Sequence, residues 1–216
     1  MNLLNNSQIL RSYSSFTKGG SGKLAALIIF VRNPVLGKVK SRLAETLGAE
    51  NAVKIYKKLL QHTHDITKDI VAEKYIFYAD YINNDDIWEN EIYYKERQSG
   101  LDLGERMKNA FELLFDKGYK EIIIIGSDCY ELKAEILLTA FDRLRNVDIV
   151  IGPATDGGYY LLGMNILIPQ LFESKNWSSN NVLSETITQI NTYNYSLYRL
   201  QTLNDVDEEK DVTFSY

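Results

Sequence analysis

Three polar clusters in this chain combine side chains that bind phosphate with side chains that bind cations or move protons. The first is Arg32-Asn33-Pro34-Val35-Leu36-Gly37-Lys38-Val39-Lys40-Ser41-Arg42, with four basic residues (Arg32, Lys38, Lys40, Arg42) and no acid. Guanidinium and ammonium groups are strong donors to phosphate oxygens, and Gly37 lets main chain approach a ligand closely. A helix starting near Ser41 would add unpaired N–H groups and a favourable dipole. A solvated basic loop is the plain alternative. The second cluster, Gly126-Ser127-Asp128-Cys129, offers a carboxylate suited to Mg²⁺ or Mn²⁺, which need few protein ligands when phosphate oxygens complete the shell. Asp128 equally suits a helix cap or a turn. The third, Gly152-Pro153-Ala154-Thr155-Asp156-Gly157-Gly158-Tyr159-Tyr160, supplies Asp156 as a second carboxylate. Its Gly157-Gly158 pair beside Tyr159 suits a backbone passing close to a bulky ligand, although Asp-Gly is also an ordinary hairpin turn. Asp205-Val206-Asp207 adds Asp205 and Asp207 as further metal ligands, or as acidic charge at a helix start.

Other candidates are weaker. Gly20-Ser21-Gly22-Lys23 looks like the end of a P-loop, but Leu24 stands where a magnesium-binding Ser or Thr is needed, and the segment precedes its strand. Cys129 reads as buried apolar filler rather than a nucleophile. His62 and His64, the two histidines of the chain, lie on an amphipathic helix with no metal partner nearby in sequence, and read as solvated face residues.

A frame must bring the clusters together. The runs Leu24–Val31 (LAALIIFV) and Ile122–Ile125 (IIII) are continuously apolar, as strands buried on both faces are. Further strands are expected at Lys74–Ala79, Ile92–Lys95, Asp148–Ile151, Tyr159–Gly163 and Tyr195–Leu200. Helices are expected near Ser41 and over Gly48–Lys68, where Ala52, Tyr56, Leu59, Leu60, Thr63 and Ile66 share a face. Another opens at Asp102, with Leu103, Met107, Ala110, Phe111 and Leu114 on one stripe and Gly118 beyond its end. Lys133–Arg145, Ser179–Asn191 and a last turn over Glu208–Thr213 complete the set. Strands alternating with helices give a three-layer α/β/α sandwich with a mostly parallel, mixed central sheet. In such sheets ligands bind beyond the carboxyl ends of the strands. That rule turns three clusters into one site.

Composition narrows the class. The 216 residues are 45% hydrophobic and 25% charged, with one cysteine and a formal net charge of −5. One cysteine excludes an internal disulfide, no Cys/His cluster offers a structural zinc site, and an acidic chain is no general trap for nucleic acid. A basic loop inside an acidic protein points to an anionic small molecule. No run approaches the roughly 20 apolar residues of a membrane span, and residues 1–22 lack a signal-peptide core. A loose leader over 1–22, one domain over 23–216 and a cytoplasmic location are expected; the oligomeric state is not legible.

The ordered motifs F-x-R-x-P-x-x-G-K-V-K-[ST]-R-L (Phe30–Leu43), Q-x-G-x-D-L-G-E-R-M (Gln98–Met107), G-S-D-C (Gly126–Cys129), G-P-A-x-D-G-G-Y-Y-L-x-G (Gly152–Gly163), W-S-[ST] (Trp177–Ser179) and D-x-D (Asp205–Asp207) resemble a bacterial glycosyltransferase-like family. That family is also labelled radical-SAM/selenodomain-associated transferases and has the GT-A, or nucleotide-diphospho-sugar transferase, fold. The resemblance implies that Lys38, Lys40 and Arg42 hold phosphates, and that Gly100, Asp102 and Gly104 line the base or ribose. It further implies that Asp128 is the metal carboxylate and that Asp156 and Tyr159 face the acceptor; Trp177 joins the substrate residues through its motif. Tyr130 and Leu101 depart from the Pro and Gly usual there, and Ser127-Asp128-Cys129 lacks the second Asp of a full D-x-D. A metal would therefore need Asp156, Asp205 or Asp207 as well.

Three functions are compatible with these residues. In a metal-dependent glycosyltransferase, Mg²⁺ or Mn²⁺ bridges the diphosphate of a nucleotide-sugar, and Asp156 acts as general base on an unknown acceptor. A nucleotidyltransferase of the guanylyltransferase kind would use the same residues to release pyrophosphate, though G-x-G-T-R is absent. A nucleotide-binding module without catalysis is the third.

Overall fold

A computed structural model describes residues 25–216; the leader expected over 1–22 and the P-loop look-alike at Gly20–Lys23 lie outside the described residues. Seven strands, β1 (Ala25–Val31), β2 (Glu73–Tyr78), β3 (Tyr93–Arg97), β4 (Glu121–Ile125), β5 (Ile149–Pro153), β6 (Tyr159–Met164) and β7 (Leu197–Arg199), form one sheet in the order β3-β2-β1-β4-β6-β5-β7. Strand β6 runs antiparallel to its neighbours β4 and β5, while the other pairings are parallel. The sheet is thus mostly parallel and mixed.

Parallel neighbours need crossovers, and helices supply most of them. Helices α1 (Ser41–Leu47) and α2 (Ala49–Thr67) lead from β1 to β2, α3 (Leu103–Asp116) from β3 to β4, α4 (Ala134–Leu144) from β4 to β5, and α5 (Val182–Thr192) from β6 to β7. Alternate residues of the central strands serve opposite layers, as the two-residue side-chain period of a strand requires. Leu27, Ile29, Val31, Ile123 and Ile125 pack with Leu43 of α1, Ile55 and Leu59 of α2 and Phe141 of α4. Ala26, Ile28, Ile122 and Ile124 pack instead with Phe111 and Leu114 of α3 and Ile190 of α5. Burial on both faces explains why β1 and β4 are apolar throughout.

Local sequence sets the helix ends nearest the site. The Asp102 carboxylate accepts from the Glu105 N–H at 2.8 Å and so caps α3, and Gly118 follows its end at φ +90°. Leu103 does not join the buried stripe of α3; it is exposed at the first turn, and burial begins at Gly104 and Met107. Glu208–Thr213 forms only a short 3-10 turn over Glu209–Asp211, and a second 3-10 turn spans Pro169–Phe172.

The histidines are not solvated face residues. His64 is buried, with Nε2 2.9 Å from the Glu89 carboxylate, and its ring lies 5.8 Å from that of Trp88. His62 donates through Nε2 to Leu132 O at 2.9 Å, and its ring lies tilted against that of Tyr130, 4.6 Å away. The connection from β2 to β3 folds its buried Trp88 back over α2, covering the flank that helical periodicity assigns to solvent. No described helix is long and apolar enough to cross a membrane.

Phe111 is fully buried between α3 and the sheet. Phe111→Ala should lower unfolding free energy by about 3–5 kcal/mol in urea titrations. A loss below about 1 kcal/mol would mean that this layer is not packed as described.

Candidate functional site

The carboxyl ends of β1, β2, β3, β4 and β5 and the start of β6 share one rim. Val31 pairs with Tyr78, Tyr78 with Arg97, Ile125 with Leu161, and Pro153 with Tyr159. Over that rim lies a cleft of about 930 Å³. Neighbouring strands lie about 4.8 Å apart, so the cleft runs about 14 Å from the end of β3 to the end of β4. The β5–β6 turn lies beyond.

At the β1 end, buried Asn33 ties two loops together: Nδ2 donates to Tyr81 O at 3.0 Å, and Tyr81 N donates to Oδ1 at 3.3 Å. Tyr56 of α2 reaches up to accept from Arg32 N at 2.8 Å and to meet Ser127 Oγ at 3.1 Å. These bonds fix the basic loop beside the loop after β4. Arg32, Lys38, Lys40 and Arg42 all line the cleft. Gly37 does not; it forms an exposed turn at φ +75° with open space around it, so its role is to reverse the chain rather than to admit a ligand.

Lys40 differs from its basic neighbours. Its side chain is 8% exposed, and Nζ donates to Asp128 Oδ2 at 3.0 Å and Asp207 Oδ1 at 2.9 Å. Burial opposes its charge, but the two carboxylates prevail and hold it above the usual lysine range. Arg42 reaches Asp207 only at 3.7 Å and stays largely exposed.

Asp128, Asp156, Asp205 and Asp207 line the same cleft. Val206 N donates to Asp128 O at 2.9 Å, joining the two acidic segments through main chain. The Asp211 carboxylate accepts from Asp207 N at 3.1 Å, Glu208 N at 2.8 Å and Asn204 Nδ2 at 2.9 Å, which holds Asp205-Val206-Asp207 in place. Asp156 sits in the expected hairpin turn, with Oδ1 accepting from Gly158 N at 2.8 Å. Buried Cys129 has its thiol pushed up by burial and by nearby Asp205, which disfavours a thiolate nucleophile.

The glycines divide. Gly158 lines the cleft. Gly157, at φ +92°, faces the protein instead: a Cβ there would lie 2.0 Å from Asn180 O. A Cβ on Gly104 would lie 2.4 Å from the Trp177 ring, and one on Gly100, at φ +140°, 2.7 Å from Arg106 N. Gly100, Gly104 and Gly157 therefore permit close protein–protein packing and do not line the cleft, contrary to their reading as ligand-lining residues. Asp102, Tyr159 and Trp177 do line it.

Two cleft residues went unread inside a motif credited to its glycines. Gln98 Nε2 donates to Phe77 O at 2.9 Å and Val31 O at 3.4 Å. Arg106 donates through Nε to Gly100 O at 3.2 Å. Both line the cleft.

Among the described residues, no group of three or more His, Cys, Asp or Glu side chains forms a ready-made metal cage. A Mg²⁺-type site needs only one or two carboxylates beside phosphate oxygens, and Asp205 offers one. Its Oδ1 is buried without a hydrogen-bond partner, and Asp128 is a charged neighbour. An orphaned carboxylate oxygen beside a second carboxylate fits a divalent cation. Burial, then Asp128, push the Asp205 carboxyl up from 3.8 to about 8 despite Lys40. The folded protein therefore keeps a proton there that the unfolded chain has released. The metal-free fold is helped most below about pH 4 and loses that help as pH rises toward about 8. Thermal melts of the metal-free protein should fall over that window, and Asp205→Asn should flatten the fall; parallel curves would remove Asp205 as its source.

Residues 62–179 match the family model described as "Uncharacterized protein conserved in bacteria (DUF2064)". No curated protein matches. Among solved structures, a Desulfovibrio desulfuricans G20 protein, provisionally described as a nucleotide-diphospho-sugar transferase, is 32% identical. It matches over 85% of this chain and 82% of its own, with a TM-score of 0.79. The inositol-1-phosphate CTP transferase from T. maritima is 12% identical over 89% of this chain and 92% of its own, with a TM-score of 0.56. A manganese complex of a Mycobacterium tuberculosis H37Rv protein is 10% identical over 88% and 96%, with a TM-score of 0.52. The two distant likenesses show a shared fold, that of the GT-A and nucleotidyltransferase-like proteins. The matched residues and the 32% identical relative together place this chain in the bacterial DUF2064 family.

Proposed function

We propose that this protein is a metal-dependent transferase that binds a nucleotide-diphosphate sugar in the rim cleft and passes the sugar to an acceptor hydroxyl. Residues 23–216 act as one domain in this reading. The observation that carries it is the convergence of a basic loop with Asp128, Asp205, Asp207 and Asp156 in one cleft. The description of the Desulfovibrio desulfuricans relative and the manganese bound to a fold neighbour support it.

Each residue has a role set by its position. Arg32, Lys38 and Arg42 donate to the diphosphate oxygens, and Gln98 and Arg106 meet the nucleoside toward β3. Asp128 and Asp205 would hold the cation, which when bound neutralises charge developing on the diphosphate leaving group. Asp156, oriented by its bond from Gly158 N, takes the acceptor proton on its other oxygen. Tyr159 and Trp177 wall the cleft along the first turns of α3, against Met107 and Gly104.

The alternative is nucleotidyl transfer, in which the same cleft cradles a triphosphate and releases pyrophosphate. It is favoured by the T. maritima fold neighbour, which acts with CTP, and by a basic loop directly after β1, where a triphosphate would lie. Products separate the two. With Mn²⁺ and a panel of nucleotide-sugars, the first reading expects nucleoside diphosphate, and pyrophosphate from nucleoside triphosphates would establish the second. Asp128→Asn should cut turnover by about 10²-fold or more. Full turnover in that variant would take Asp128 out of the mechanism.

A further inference from the structure

A lysine in a phosphate-binding loop ordinarily waits in solvent for its anion, as Lys38 does here. Lys40, two residues on, is already engaged: its buried ammonium sits between Asp128 Oδ2 and Asp207 Oδ1, at 3.0 and 2.9 Å. Its backbone contributes to that aim. Lys40 is left-handed, at φ 49° and ψ 55°, a conformation that non-glycine residues rarely adopt, and it caps α1 with no side-chain bond to the helix. The partner carboxylates are 39% and 38% exposed, so one flank of the pair opens on the cleft. Beside them, Asp205 Oδ1 is buried without a hydrogen bond, with the Cys129 thiol next to the carboxyl group.

A divalent ion drawn to Asp205 and Asp128 must share Asp128 with this ammonium. Like charges a few ångströms apart in a cleft walled by protein repel strongly, so occupancy by one weakens occupancy by the other. An ammonium that leaves the carboxylates loses both partners, and the compensating anion within reach is a phosphate held by Lys38 and Arg42. We infer that Lys40 is an exchangeable internal cation: it holds Asp128 and Asp207 while the site lacks metal, yields them when the metal enters, and moves onto the ligand's phosphate. The inference rests on the metal and phosphate reading of the cleft proposed above. Its consequence is coupling. Metal alone binds weakly because it must evict Lys40, phosphate favours the evicted state, and each ligand strengthens the other by the same factor.

Two measurements on the full chain test this without relying on activity. In Mn²⁺ titrations followed by electron paramagnetic resonance, with no nucleotide present, Lys40→Met and Lys40→Gln should bind Mn²⁺ about tenfold or more tightly than the unaltered protein. A lysine that merely supported the carboxylates would give the opposite direction when removed. Should these variants fail to fold, the unaltered protein still provides the second readout. Brief acetylation read by peptide mass spectrometry should find Lys40 protected without metal and exposed at saturating Mn²⁺, with Lys38 reactive in both. If Mn²⁺ binds but leaves Lys40 protected and the variants bind no more tightly, the exchange is refuted and the metal site stands. If Mn²⁺ binds neither the unaltered protein nor any folded variant, the metal reading itself fails, and the exchange with it.

Discussion

Asp128, Asp205 and Asp207 are drawn to one sheet end by main-chain bonds and not by any attraction of their own. Val206 N donates to Asp128 O, and the Asp211 carboxylate gathers Asp207 N, Glu208 N and Asn204 Nδ2 from below. Carboxylates crowded in this way repel one another, and burial makes the repulsion worse. Some cation has to stand among them. In the ligand-free protein that cation is Lys40, and the shape of the basic loop follows from the need to deliver it: Asn33 anchors the start of the loop, Gly37 reverses it, and a left-handed Lys40 turns inward where α1 begins.

The sheet order gives this charge balance its place. Inserting β6 between β4 and β5 brings the start of β6 to the same rim as the end of β4, so the Asp156 turn faces the carboxylates rather than the far end of the molecule. Tyr56 then links the loops after β1 and β4 from beneath. The resulting cleft sets its charged groups beside an aromatic wall, with Trp177 packed on Gly104 and Tyr159 meeting Met107 along the first turns of α3.

Much of this frame was legible in residue pattern. Continuous apolar runs marked β1 and β4 because both of their faces are covered, and Asp102 and Gly118 marked the ends of α3 because caps are local chemistry. What escaped was settled by contacts distant in sequence. Lys40 reads as a free phosphate donor until partners 88 and 167 residues away are brought to it. His64 reads as exposed until Glu89 and Trp88 fold over α2. The glycines misled for a related reason. Gly100, Gly104 and Gly157 do permit close approach, but to Arg106, Trp177 and Asn180 rather than to a ligand, and a motif alone does not say which surface approaches.

Those same contacts hold the cleft in two different ways. The charged middle is pinned by directional bonds to main chain on several sides, as a reacting centre requires. The aromatic wall is held differently. Trp177 lies against the bare backbone at Gly104, its Nε1 is buried with no hydrogen-bond partner, and the Lys175 ammonium lies 5.7 Å from its ring centre. Its segment is turned by Ser179 N donating to Asn176 O at 3.0 Å and Ser178 N donating to Asn176 Oδ1 at 3.2 Å, and Lys175 ties it to Leu171 O and Gln189 Oε1. Close packing on glycine backbone holds a ring as firmly as hydrogen bonds hold a carboxylate, because a shift of either loses contacts with its neighbours; the two walls of the cleft are fixed by different means.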